Sequence, residues 1–168
     1  MAGQTITPKQ LMMQWATLPN KFEVNVFNFE TIMGDAAKQV FKQSFYLRRF
    51  NSTSSFAWQS RKDKKPHPLL EETGNLKNSI VWKHFKGTGR QRGVSIYTDP
   101  LAFKHSKRQY GRNFCYAAVH NDPSGTHTYG RTGVRSIQRQ FIGYSTVLND
   151  KFDSYSIRIF DGFPINER

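Results

Sequence analysis

Residues 28–50 read NFETIMGDAAKQVFKQSFYLRRF, and this stretch decides the fold. Its apolar side chains recur every three or four residues, which places them on one face of an α-helix: Phe29, Ile32, Met33, Ala36, Ala37, Val40, Phe41 and Phe45. Asn28 is a natural N-cap residue, so the helix is predicted to begin there. The sequence therefore predicts a long amphipathic helix whose aromatic face belongs to a core.

The segment before this helix, residues 1–21, has an apolar cluster between Pro8 and Pro19: Leu11, Met12, Met13, Trp15 and Leu18. The cluster fits either a short helix or a mostly loose arm that docks on the domain or on a neighbouring subunit. The predicted organisation is an N-terminal arm over 1–21, a single domain over 22–160 and a C-terminal tail over 161–168.

The segments after the helix predict a small sheet and a second helix. Residues 79–82 with Phe85 fit a strand, a glycine-rich basic turn follows over 87–93, and residues 94–97 begin a return strand, which together indicate a hairpin. A helical turn is predicted at 69–72, ended by Gly74, and another at 116–120. Residues 145–158 fit a helix, although alternating apolar residues near 155–159 leave a strand open.

The predicted fold is therefore α+β. It has a long amphipathic N-terminal helix packed on a small, mostly antiparallel sheet, with long basic loops and a C-terminal helix. One chain of 168 residues fits one such domain.

Charge is the strongest feature of the composition. The net charge is +13, and basic residues concentrate in three long loops, at 51–68, 99–114 and 121–139. Loops of this length are uncommon in a compact domain unless they have a function, and the excess charge predicts an acidic partner such as nucleic acid, an acidic protein or an anionic membrane. The candidate contact residues are Arg61, Lys62, Lys64, Lys65, Arg90, Arg92, Lys107, Arg108, Arg112, Arg131 and Arg135.

Several classes of protein are disfavoured. The single cysteine, Cys115, excludes a disulfide or a thiolate metal cluster within one chain, and its aromatic neighbours favour an inert thiol. No apolar stretch approaches the ~20 residues of a membrane span. The start of the chain lacks the features of a signal peptide, so the protein is expected to be made in the cytoplasm and to stay there or leave it inside a particle.

Residues 70–80 read LEETGNLKNSI, which resembles the L-x-x-T-G-x-L-x-x-S-I signature of the Mu-type virion morphogenesis and tail-completion family of tailed phages. Residues 116–120, YAAVH, resemble the Y-A-x-x-H segment of that family, and residues 139–145, RQFIGYS, resemble its R-P-F-L-G-x-S ending. The resemblance covers about residues 22–160. Gln140 stands where the family usually has proline, and Asn121-Asp122 stand where it has Q-F-G.

The resemblance implies a non-enzymatic virion protein that forms a ring, hexameric or dodecameric, at the head–tail (neck) junction and completes or joins the tail. Its implied neighbours are a portal-side connector and tail tube or tail terminator proteins, with DNA in the channel as a further contact. It implies no cofactor and no membrane. The matching positions are expected to be structural: Leu70, Thr73, Gly74, Leu76, Ser79, Ile80, Tyr116, His120, Arg139, Phe141 and Gly143.

Two other hypotheses remain open. Basic runs interleaved with aromatic residues could form a nucleic-acid-binding module that stacks bases on Phe56, Trp58, Tyr110 and Tyr129. A hydrolase or nuclease could use His105, His120 or His127 with Asp122, but no standard ligand spacing completes a metal site. A structural, hydrogen-bonded role for His120 is favoured over a metal-binding one.

Overall fold

The computed structural model describes residues 6–60, 66, 68–88, 91–103, 117–121, 128–129, 134–135 and 137–163. In chain order its helices and strands are α1 (Pro8–Leu47), α2 (Asn75–Asn78), β1 (Ile80–Lys86), β2 (Arg92–Thr98), α3 (Ala117–Asn121), β3 (Thr128–Tyr129), β4 (Val134–Arg135) and α4 (Thr146–Ser156). Two short 3-10 helices lie at Pro100–Phe103 and Ile157–Phe160. The fold is α+β, as predicted.

The first helix is much longer at its N-terminal end than predicted. It begins at Pro8 and not at Asn28, which lies inside the helix. Thr7 and Gln10 form a capping box, in which the Thr7 side chain accepts from the Gln10 amide and the Gln10 side chain accepts from the Thr7 amide. Because proline suits the first helical position, Pro8 favours this start. The predicted boundary between arm and domain at residue 21 therefore lies inside a continuous helix.

The predicted core face of α1 is confirmed. Six of its eight residues are buried: Phe29, Met33, Ala37, Val40, Phe41 and Phe45, while Ile32 and Ala36 are half-buried. The helix ends where Arg48 takes a left-handed conformation, with φ 53°, and its amide donates to the carbonyl groups of Ser44 and Phe45. This left-handed cap satisfies carbonyl groups that the last turn would otherwise leave unpaired.

The predicted hairpin is confirmed. Strands β1 and β2 pair antiparallel, with Ile80 opposite Thr98 and Trp82 opposite Ile96, and the pair packs on α1. The indole of Trp82 lies across Gly34 of α1, so a Cβ added at Gly34 would lie 2.7 Å from Cε2 and Cε3 of that ring and closer still to Cδ2. Glycine at position 34 is therefore what allows the hairpin to approach the helix.

The prediction that Gly74 ends a helical turn over 69–72 was wrong. Residues 69–70 form only a turn, and α2 begins immediately after Gly74, which is the N-cap residue with φ 71°. Positive φ is easy for glycine because it has no Cβ, so Gly74 starts a helical turn and does not end one. The Thr73 hydroxyl accepts from the Asn75 amide at 3.4 Å, a local hydrogen bond that helps to fix this turn.

The C-terminal segment is a helix, which resolves the alternative of a strand. Ser145 caps α4 by accepting from the Leu148 amide at 3.3 Å, and the 3-10 helix at Ile157–Phe160 continues it. Both pack on α1: Phe152 meets Phe29 edge to face, and Asn25 donates to the carbonyls of Ile159 and Asp161. Within the predicted loop at 121–139, β3 and β4 form a second short antiparallel pair.

Candidate assembly surface

The three segments that resemble the phage family meet in one core. Leu76, Ile80 and Phe141 are 0% exposed, and Ala117 is buried with them in the same cluster. The cluster also contains residues of the buried face of α1 and of the segment that follows it. Leu76 and Phe141 are 65 positions apart in sequence, so only tertiary packing brings these segments together.

Hydrogen bonds join the second and third segments directly. The Asn121 side-chain oxygen accepts from the amides of Phe141 and Ile142, at 3.0 and 2.9 Å, and the Arg139 amide donates to the His120 carbonyl at 2.8 Å. Asn121 is one of the positions where the sequence departs from the family pattern. In this chain it holds α3 against the segment that contains Phe141.

Arg139 and Trp58 join the third segment, residues 139–145, to the chain that follows α1. The Arg139 guanidinium is buried and donates twice to the Gln59 carbonyl, at 3.2 and 3.1 Å. The Trp58 indole N–H donates to the Gln140 carbonyl at 3.0 Å, and its ring packs edge to face on Phe45. Trp58 is only 8% exposed, so the hypothesis that it stacks on a nucleic-acid base is wrong.

His120 lies in this core as a neutral histidine. Its pKa is lowered to about 4, mainly by burial and then by the charge of Arg139, while a backbone hydrogen bond with Ile137 partly raises it. A histidine with this pKa carries no charge near pH 7. These surroundings agree with the structural role that the sequence favoured.

The low pKa of His120 predicts a stability that falls in mild acid. The pKa of this histidine is 6.5 in the unfolded chain and about 4 in the folded chain. Between pH 6.5 and pH 4 the unfolded chain therefore binds a proton that the folded chain does not. Stability from this group is therefore complete above pH 6.5, and about 2 kcal/mol is lost by pH 5. Urea unfolding from pH 7.5 to 4.5 measures it, and His120→Gln should flatten the profile; identical slopes for both proteins would contradict the assignment.

Most of the predicted cationic contacts lie outside the described residues: Arg61, Lys62, Lys64, Lys65, Arg90, Lys107, Arg108, Arg112 and Arg131. Arg135 lies in β4, where only the backbone is described. Arg92 is engaged within the chain, because its guanidinium donates to both carboxylate oxygens of Glu30, at 2.7 and 3.0 Å, and to Glu23 at 2.5 Å. Tyr116 also lies outside the described residues.

The partners of Arg92 form a cluster that the sequence analysis missed. Glu30 is buried, and its carboxylate also contacts Nδ1 of His84 at 3.2 Å, while Nε2 of His84 lies 3.2 Å from the Thr31 hydroxyl. Burial raises the pKa of Glu30, but the hydrogen bond and charge of Arg92, followed by those of His84, outweigh it and lower the pKa. The sequence signal for this cluster was Glu30, an acidic residue next to the apolar face of α1. The cluster ties the hairpin to α1.

Most residues of the nucleic-acid-binding and the hydrolase or nuclease hypotheses lie where the structure describes no side chain. Phe56 is 93% exposed, Tyr129 lies in β3 with only its backbone described, and Tyr110, His105, Asp122 and His127 lie outside the described residues. Within the described ranges, no group of three or more His, Cys, Asp or Glu side chains is placed to hold a metal ion. In that same part of the chain, no helix has the length and apolar character needed to cross a membrane.

The N-terminal end of α1 exposes an apolar ridge, defined here as Leu11, Trp15 and Leu18. Leu11 and Trp15 are exposed, Trp15 by 63%, and Leu18 is half-buried. Spacings of four and three residues place all three on one helix face. The C-terminal 3-10 helix covers α1 only further along, where Phe22 contacts Phe160 and Phe163.

An open groove of about 550 Å³ lies between α1, β2 and α4. Its lining is mostly apolar: Val26, Phe29, Met33, Ala37, Val94, Ile96, Leu148, Phe152 and Ile159. Glu30 and Arg92 also line it, and they are paired with each other. The ridge and the groove give this α+β domain two apolar surfaces suited to contact with another protein.

Comparisons with protein-family models, with curated proteins and with solved structures found no match to this chain.

Proposed function

We propose that this chain is a structural, non-enzymatic protein of a tailed-phage particle, which forms a ring at the head–tail junction and completes or joins the tail. The observation that carries the proposal is the meeting of the three motif segments in one core. Leu76 and Ile80, Ala117, and Phe141 come from separate segments, yet they pack in a single cluster. Motifs that form one core support the resemblance better than three unrelated local matches would.

The surface of the domain supports a role in assembly. The ridge exposes Leu11 and Trp15, and the rim of the groove exposes Phe152, which are apolar side chains that a domain working alone would tend to cover. Contacts with other virion proteins would bury them. The proposed neighbours are further copies of the chain, a portal-side connector, and tail tube or tail terminator proteins.

The net charge of +13 supports a position next to acidic surfaces or DNA. The only proposed cationic contact with a described side chain, Arg92, already pairs with Glu30 and Glu23. The proposed contact with acidic neighbours or DNA therefore rests on the other ten basic residues.

Electron microscopy of particles from the encoding phage, with this coding sequence deleted, tests the proposal. We expect DNA-filled heads and finished tails that remain separate, and we expect joined particles to return when the intact chain is supplied in trans. Joined particles in the deletion strain would overturn the proposal. In that case, the binding of the purified protein to nucleic acid, measured against salt concentration, would test the alternative function.

A further inference from the structure

The apolar ridge continues the face of α1 that forms the core. Leu11 and Leu18 are separated from the buried Phe29 and Met33 by multiples of the helical repeat, so all four lie on one stripe. The part of this stripe that contains Phe29 and Met33 is buried against the hairpin and α4. The part nearer the N-terminus of α1 is the ridge, where Trp15 is 63% exposed.

The polar side of this helical segment favours a protein as the partner of the ridge. Among residues 6–20 the one charged side chain is Lys9, and the face away from the ridge is mostly uncharged. A helix that lies on a membrane surface usually has Lys and Arg on its polar face, and a segment that binds nucleic acid needs cations for the phosphates. An apolar protein surface requires neither.

The groove has the matching chemistry and length. Met33, Ile96 and Leu148 give it apolar walls, and its charged residues, Glu30 and Arg92, already neutralise each other. Along α1 the groove runs from Val26 to Ala37, about 16 Å at the α-helical rise, whereas the ridge from Leu11 to Leu18 spans about 10 Å. The ridge can therefore fit within the groove without placing an unpaired charge in an apolar contact.

The ridge cannot reach the groove of its own chain. Both lie on the same continuous helix, and Trp15 is separated from the middle of the groove, near Ile32, by about 25 Å of helix. Only another molecule can bring the two surfaces together.

We propose that the ridge of one copy binds in the groove of a second copy of this chain. This deepens the proposed function and rests on it, because a ring needs a contact between copies. A ridge and a groove on different parts of the surface make a head-to-tail contact, which closes into a ring when the rotation between copies allows.

The net charge of the chain predicts how its self-assembly depends on salt concentration. Two copies with a net charge of +13 repel each other, and added salt screens that repulsion. The contact itself is apolar, so we expect assembly of the purified protein to strengthen as salt rises from about 0.05 to 0.5 M. Binding to nucleic acid would weaken over the same range.

Two variants of the full chain block the two surfaces separately. Trp15→Glu places a charge on the ridge, and Asn149→Arg places a long charged side chain at an exposed position that lines the groove. Matched controls are Met13→Glu, on the opposite face of α1, and Ser154→Arg, on α4 away from the groove. Circular dichroism of each variant verifies that it is folded.

Sedimentation velocity in 0.5 M salt measures the assembly of the wild type and of each variant. We expect the wild type and both controls to assemble, and each blocked variant alone to weaken assembly by about 30-fold or more, as for a central interface residue. An equimolar mixture of the two blocked variants should form a dimer, because the intact ridge of one meets the intact groove of the other.

Three results would overturn the inference: a wild type that stays monomeric at high concentration and high salt, a mixture that stays monomeric, or an Asn149→Arg variant that assembles as well as the wild type. Binding of the wild type, but not of Trp15→Glu, to vesicles of phosphatidylglycerol and phosphatidylcholine would assign the ridge to a membrane instead. None of these results decides whether heads and tails join in the deletion strain, so the two proposals can fail separately.

Discussion

Replacing Phe141 by alanine is expected to lower the free energy of unfolding by about 3–5 kcal/mol, the usual loss for a buried phenylalanine. The Phe141 ring is fully buried, and its centroid lies 5.4 Å from that of Phe45. The variant would leave a cavity where α1 meets the two other motif segments. For a chain of 168 residues this loss corresponds to a fall of about 10 °C in the melting temperature.

Chemical denaturation of the wild type and of Phe141→Ala measures the loss. Phe56→Ala is the matched control, because the same ring is removed from a position that is 93% exposed. That variant should stay within about 0.5 kcal/mol of the wild type. Equal losses at the two positions would mean that Phe141 does not lie in the core described above.

The second large effect is expected at Gly34, where alanine should lower the free energy of unfolding by about 2 kcal/mol. Alanine normally favours a helix interior over glycine by about 1 kcal/mol, so the expected sign is the reverse of the usual one. The new Cβ would collide with the Trp82 ring. That ring has little freedom to move, since its N–H donates to Asp35 at 2.8 Å and its edge packs on His84.

A double-mutant cycle isolates this contact. In a Trp82→Ala background the collision is gone, and Gly34→Ala should then stabilise the protein by about 1 kcal/mol, which gives a coupling of about 3 kcal/mol. Gly87→Ala is a suitable control, because the nearest atoms to its Cβ belong to the side chain of Gln91 and not to an aromatic ring. If Gly34→Ala has the same effect in both backgrounds, the hairpin does not pack on α1 at this point.

The start of α1 was available in the sequence but was missed. Thr7-Pro8-Lys9-Gln10 contains both the spacing of a capping box and a proline at the first helical position. Pro19 is unfavourable inside a helix, because proline removes a backbone hydrogen bond. In the structure α1 nevertheless continues through Pro19. The local signal at Thr7 was therefore more informative than the proline twelve residues later.

Local patterns in the sequence determined the core face of α1, the hairpin of β1 and β2, and the C-terminal helix, but not the start of α1 or the pair of β3 and β4. The three- and four-residue spacing of apolar side chains placed the core face of α1, the strand-like segments on either side of the glycine-rich turn placed β1 and β2, and residues 145–158 were predicted as a helix. These features depend on residues a few positions apart, which a single sequence contains in full.

Tertiary structure alone decided which distant residues meet. The approach of Trp82 to Gly34, the pairing of Arg92 with Glu30, and the burial of Trp58 each join positions that no local pattern connects. The same packing leaves the groove open and the ridge of α1 uncovered by the described part of its own chain. The sequence supplied the apolar residues of both surfaces, but their separation along one rigid helix is a property of the folded chain, because only folding fixes distances between residues far apart in sequence.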